Sequence, residues 1–133
     1  RLTLPCATVH QGRVESPSEV ALAYSAANCL VIPSLEDNLP NVVLEALACG
    51  LPVAGFATGG IPDMVEDGVT GRLVPTGDCQ ALGQALAALR DMPADARSRM
   101  RRVCRQTVLL RFSMPVQARA YLELYQRLLA RSP

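Results

Sequence analysis

The chain has 133 residues, about one domain's worth, enough to bury one core. Half of the residues are apolar, 4% are aromatic, and 13 Arg with no Lys stand against six Asp and six Glu for a net charge of +1. That balance gives no bulk positive field for nucleic acid, and the apolar half is more than a disordered chain carries.

A first strand is predicted at Ala7–His10, then a helix from about Ser18 to Ala26 that Ser16 or Ser18 can cap. A strand at Cys29–Ile32 leads through a loop into a helix from about Pro40 to Cys49, with Pro40 suited to the first helical position and Gly50 to the left-handed stop. A strand at Pro52–Phe56, a short helical turn at Ile61–Glu66 and a strand at Arg72–Val74 follow. The next helix, Cys79–Arg90, is capped by Asp78, carries the apolar stripe Leu82, Leu86 and Leu89, and is closed by Pro93. Strands alternating with helices over residues 1–92 predict an α/β fold, a parallel Rossmann-like sheet in three layers. Residues 93–133 read as two or three C-terminal helices, with Pro115 between them. Met100, Cys104 and Val108 form one apolar row there, and Tyr121, Leu124, Tyr125, Leu128 and Leu129 a later one.

Charge is segregated along the chain. Residues 36–95 hold nine acids and two Arg, whereas residues 97–133 hold nine Arg and one Glu. The row Arg97, Arg101 and Arg105 is either a solvated helix face or a surface for an anionic partner, such as a phosphorylated lipid or another subunit. Cys6, Cys29, Cys49, Cys79 and Cys104 are scattered and odd in number, with His10 the one imidazole, which predicts reduced buried thiols of a cytoplasmic protein and neither zinc nor a disulfide framework. The longest uncharged run, Ala46–Pro62, is cut by Gly and Pro, so no membrane span is expected. The start at Arg1, without a charged-then-apolar leader, predicts no signal peptide and reads as a processed or excised chain.

The chemistry concentrates where the second strand runs into its helix. Ligands of open α/β sheets bind at the carboxyl ends of strands, and the free amides near Asn41 to Val43 sit at the positive end of a helix dipole, a cradle for phosphate. Glu45 lies five residues beyond Pro40, roughly 7.5 Å along the axis, on the same face as Asn41. There it can accept from ribose hydroxyls, as Asp37 can from a sugar beyond the phosphates. Equally, Asp37 can be a cap and Glu45 a solvated helix residue.

The stretch from Val31 to Val74, reading PSLEDNLPNVVLEALACGLPV and then TGGIPDMVEDGVTGRLV, resembles the C-terminal domain of GT-B glycosyltransferases of family 4, group 1. That family transfers a sugar with retention from a nucleotide-diphosphate donor, typically in polysaccharide or glycolipid assembly, and uses no cofactor and no obligatory metal. Its motif is an acid, seven intervening residues and a Glu, and Asp37 and Glu45 fall on the two ends. The resemblance implies that Asp37 contacts the donor sugar, that Asn38, Leu39, Pro40, Asn41 and Val43 border sugar and phosphates, and that Glu45 holds the ribose. Asp37 is one methylene shorter than the Glu most common at its position. More weakly, Gly12, Arg13 and Val14 resemble the loop that borders the base, followed by the family's Y-x-x-A helix. Thr58, Gly59 and Gly60 stand where a backbone comes close to something or simply turns.

The resemblance also implies a partner, the N-terminal acceptor domain, together with further strands and an Arg/Lys pair for the diphosphate. The chain is then a truncated donor-binding domain, inactive in isolation. Family strand order would give it strands 3 to 6 with an open edge on strand 4, inviting dimerisation or strand exchange. A peripheral visit to the inner membrane face fits the Arg-rich tail. The other readings are a non-catalytic nucleotide-binding or interaction module and, more remotely, a nucleotide-sugar epimerase.

Overall fold

The computed structural model describes residues 6–130. Its elements run α1 (Pro17–Ala26), β1 (Leu30–Ile32), α2 (Asn41–Ala48), β2 (Val53–Phe56), α3 (Ile61–Met64), β3 (Gly71–Val74), α4 (Cys79–Arg90), α5 (Ala94–Thr107), a π-helical turn (Val108–Phe112) and α6 (Met114–Leu129). The strands form one parallel sheet in the order β1-β2-β3, with Leu30 opposite Val53 and Val53 opposite Gly71. Every residue of β2 is buried, as expected for the middle strand of a parallel sheet covered on its faces. This is a Rossmann-like α/β fold that ends in helices, and the elements from α1 to α4 fall within a residue or two of the sequence expectation.

The core joins Val43 and Leu47 of α2, Val53 and Phe56 of β2, Ile61 and Met64 of α3, Leu82 and Leu89 of α4, and Met100 and Cys104 of α5. The predicted apolar rows of α4 and α5 therefore face inward, with Leu86 and Val108 partly buried beside them. Asp78 caps α4 as expected, its Oδ1 accepting from the Ala81 amide at 2.8 Å, and Gly50 ends α2 at φ +71°.

Four expectations are corrected. Ala7–His10 forms no strand: these residues are exposed, Val9 at 84%, and no neighbouring strand bonds them, so the alternation has no face to bury against. Ser16 occupies the α1 cap position without capping, because its hydroxyl is engaged with that of Ser18 at 2.7 Å. Pro115 lies inside the first turn of α6 rather than between helices, and the break falls at Ser113 after the π-helical turn. Among the five free thiols only Cys104 is buried; Cys6 and Cys79 are exposed and Cys29 and Cys49 half-buried. The later apolar row of the tail lies on α6, and all of it is exposed.

The arginine row is half-buried at Arg97 and Arg101 and exposed at Arg105, and it also donates to the chain's own backbone. Arg97 donates through Nη2 to the carbonyls of Arg90 and Met92 at 2.7 and 3.2 Å, at the end of α4. Arg101 reaches those of Ala27 and Ser25 at 3.3 and 3.4 Å, at the end of α1. Arg105 reaches Ala48, the last residue of α2, at 3.5 Å, and Arg111 reaches Asp63 in α3 at 3.3 Å. These guanidinium groups thus meet carbonyl ends of the chain's own helices, where unpaired acceptors and the negative end of the helix dipole favour a cation. No helix of the described residues is long and apolar enough to cross a membrane.

Candidate functional site

The loop between β1 and α2 is clipped to the loop that leaves β2, so that both sit at the carboxyl end of the sheet. The Gly60 amide donates to the carbonyls of Asp37 at 3.3 Å and Asn38 at 2.7 Å, and the Thr58 hydroxyl donates to the Leu35 carbonyl at 3.0 Å. A Cβ at Gly59, whose φ is +50°, would overlap the Asp37 carbonyl, and one at Gly60 would overlap that of Asn38. The close approach expected of these glycines is therefore real, and what comes close is the acidic loop itself.

Within that loop Asp37 is half-buried, with Ser34 Oγ donating to its Oδ2 at a long 3.5 Å. It does not cap α2, whose cap position is occupied by Pro40, one residue earlier than the sequence expectation for that proline. Asn38, Leu39 and Asn41 are exposed and Pro40 is half-buried. The amides of Asn41 and Val42 stand in the first turn, where no intrahelical acceptor exists. Val43 differs: its side chain is fully buried and its amide bonds the Pro40 carbonyl at 3.0 Å.

Glu45, one turn on, lines a groove of about 490 Å³ together with Val14, Glu15, Pro17, Val20, Ala21, Tyr24 and Cys49. One wall is α1 and the other is α2. The groove brings Val14 and Glu45 together across 31 positions of sequence. Arg13 stays outside it, paired with Glu15 at 3.1 Å, both side chains largely exposed. Gly12, at φ +69°, donates its amide to His10 Nδ1 at 2.9 Å. Tyr24 donates its hydroxyl to Glu45 Oε2 at 3.2 Å. Burial, then the hydrogen bond and charge of Glu45, push the Tyr24 phenol above its ordinary pKa.

Among the described residues no cation pairs with Asp37 or Glu45, and Arg72 is held by Asp67 at 3.8 Å. Both carboxylates therefore keep lone pairs for hydroxyl donors. The described residues bring together no three potential metal ligands. Sequence reasoning singled out Glu45 and Val14 but not the α1 wall between them, although Pro17, Val20, Ala21 and Tyr24 follow the spacing of one helical face.

A family model described as glycosyl transferases group 1 matches residues 4–91. The chain is 44% identical over 88 residues to D-inositol 3-phosphate glycosyltransferase of Mycobacterium avium strain 104, covering 66% of this chain and 21% of that protein. It is 37% identical over 107 residues to the enzyme of the same name from Saccharomonospora viridis, covering 80% and 24%. In structure it is similar to sucrose-phosphate synthase from Thermosynechococcus elongatus, with a TM-score of 0.75 and 38% identity over 86% of this chain and 28% of that one. The chain thus spans between about a fifth and somewhat over a quarter of the length of these relatives.

Proposed function

The chain belongs to the glycosyl transferases of group 1, and from that premise we propose that it is the donor-binding portion of a retaining glycosyltransferase, taking a nucleotide-diphosphate sugar and working with an acceptor domain. The observation that carries this reading is the groove in which Val14 and Glu45 meet, Glu45 standing one turn beyond Asn41 on α2. The base lies along Val14, with Gly12 and Arg13 at its border. Glu45 accepts from the ribose hydroxyls. The diphosphate meets the amides of Asn41 and Val42, where the helix dipole is positive. Asp37 accepts from hydroxyls of the donor sugar, with Asn38, Leu39 and Pro40 lining its approach. As the nucleotide diphosphate departs, those amides and cations supplied from outside the described residues stabilise its charge.

Titration with UDP, GDP and ADP, followed by backbone amide shifts, tests this. One nucleotide should shift Asn38 to Val43 saturably, and Glu45→Ala should weaken its binding about tenfold or more, the worth of charge-assisted hydrogen bonds to a diol. A folded chain that none of the three nucleotides shifts overturns the reading. Turnover is expected only with the acceptor domain present, so product formed by the chain alone, above a Glu45→Ala control, would contradict that part. The alternative of a non-catalytic interaction module draws on one observation, the exposed row Tyr121, Leu124, Tyr125, Leu128 and Leu129 on α6. The same titration separates the two, since such a module owes nothing to Glu45.

A further inference from the structure

One side-chain hydrogen bond spans the groove from wall to wall, that from the Tyr24 hydroxyl on α1 to Oε2 of Glu45 on α2. Glu45 is exposed and has three rotatable side-chain bonds, so that on an open helix face its carboxylate would sample many rotamers. Among the described residues it has no cation partner, and the phenol is its side-chain donor. The bond pins one carboxylate oxygen toward α1 and leaves Oε1 for another donor. Both partners line the groove alongside Val14, Pro17, Val20 and Ala21, so the pinned carboxylate borders the space a nucleoside would fill.

We infer that Tyr24 is a positioning residue that presets Glu45 for a ribose diol and so sets the chain's discrimination between ribonucleotides and deoxyribonucleotides. This rests on the donor-site reading above. A diol is two donors on a rigid ring, and it is recognised best by an acceptor whose plane is fixed before the ligand arrives, because the ordering cost is then already met. A nucleotide lacking the 2′-hydroxyl engages the same carboxylate through one donor and gains less from its being fixed. Tyr24 therefore acts through Glu45 on the ribose and need not touch the ligand.

The test measures affinity of the 133-residue chain for whichever of UDP, GDP and ADP binds, and for its 2′-deoxy counterpart, in the wild type, Tyr24→Phe, Glu45→Ala and the double variant. The wild type should favour the ribonucleotide about tenfold. Tyr24→Phe should cut that preference about threefold or more, chiefly by weakening the ribonucleotide, and should change nothing further in the Glu45→Ala background, which has no side-chain acceptor left to position. A Tyr24→Phe chain that keeps the wild-type ratio, or that weakens both ligands equally as a merely structural tie would, overturns the inference and leaves the donor site standing. A folded wild-type chain that binds none of the nucleotides overturns the donor-site reading, and the inference with it.

Discussion

Gly59 and Gly60 are positions where a single methyl group decides the shape of the acidic loop. Since a Cβ at either would overlap a carbonyl of Asp37 or Asn38, Gly59→Ala should cost on the order of 1–3 kcal/mol and displace Asp37; urea unfolding gives the first, and amide shifts at Asp37 and Asn38 the second. Cys104 supplies a pH prediction. Its thiol is buried against the Thr70 carbonyl at 3.4 Å, and burial pushes its pKa up to about 11. The unfolded chain loses that proton near the ordinary thiol value of 9.0, before the folded one does. The contribution is therefore fully present below pH 9 and is lost as pH rises toward 11. Cys104→Ala should flatten that alkaline decline, measured as the change in unfolding free energy between pH 8 and pH 10.5, by on the order of 1–2 kcal/mol. Residues of this kind were half legible beforehand. Glu45 and the glycines could be singled out from spacing and turn chemistry, whereas Tyr24 could not be matched to Glu45, because that pairing depends on how α1 lies against α2.

At the scale of elements, legibility followed locality. The α4 helix was readable in full because its cap, its stripe and its closing proline all lie within its own segment. The Ala7–His10 segment was misread because alternation describes a strand only when a neighbour supplies the ladder. The backbone partners of the arginine row were out of reach for a related reason: Arg101 finds its acceptors 74 and 76 positions away, and no pattern local to residues 97–111 points to them. The consequence falls first on α1, which has no buried residue and whose carbonyl end takes two hydrogen bonds from Arg101. Arg101→Gln should speed amide exchange in α1 several-fold while leaving α4 protected, at a cost of roughly 0.5–1 kcal/mol for a lost helix-end cation. Reversing Arg101 and Arg105 to Glu should lower stability before any effect on anionic vesicles is read, so vesicle binding has to be compared at equal folded fraction.

Across the whole molecule, the core and the sheet are complete without α6, which contributes no buried residue and packs on the π-helical turn. Ending the chain after Ser113 should thus shift the urea midpoint little, by less than about 1 kcal/mol, and remove the exposed row that the interaction reading depends on. The general α/β architecture was foreseeable because repeated strand–helix units admit few arrangements. The number of strands was not, since a sheet's edge is set by what lies beside it.

The four helix-end arginines have a consequence for cooperativity. A single segment, residues 97–111, holds the carbonyl ends of α1, α2, α3 and α4 at once. Lifting it away would uncap four helices and expose Met100 and Cys104 together, so detaching the segment as a whole costs all of these contacts at once. Guanidinium groups stay charged at every pH a protein survives, which makes the linkage insensitive to acid and leaves salt as the agent that loosens it. Exchange under native conditions should accordingly show α5 and the core helices opening as one unit, with α6 free to melt on its own.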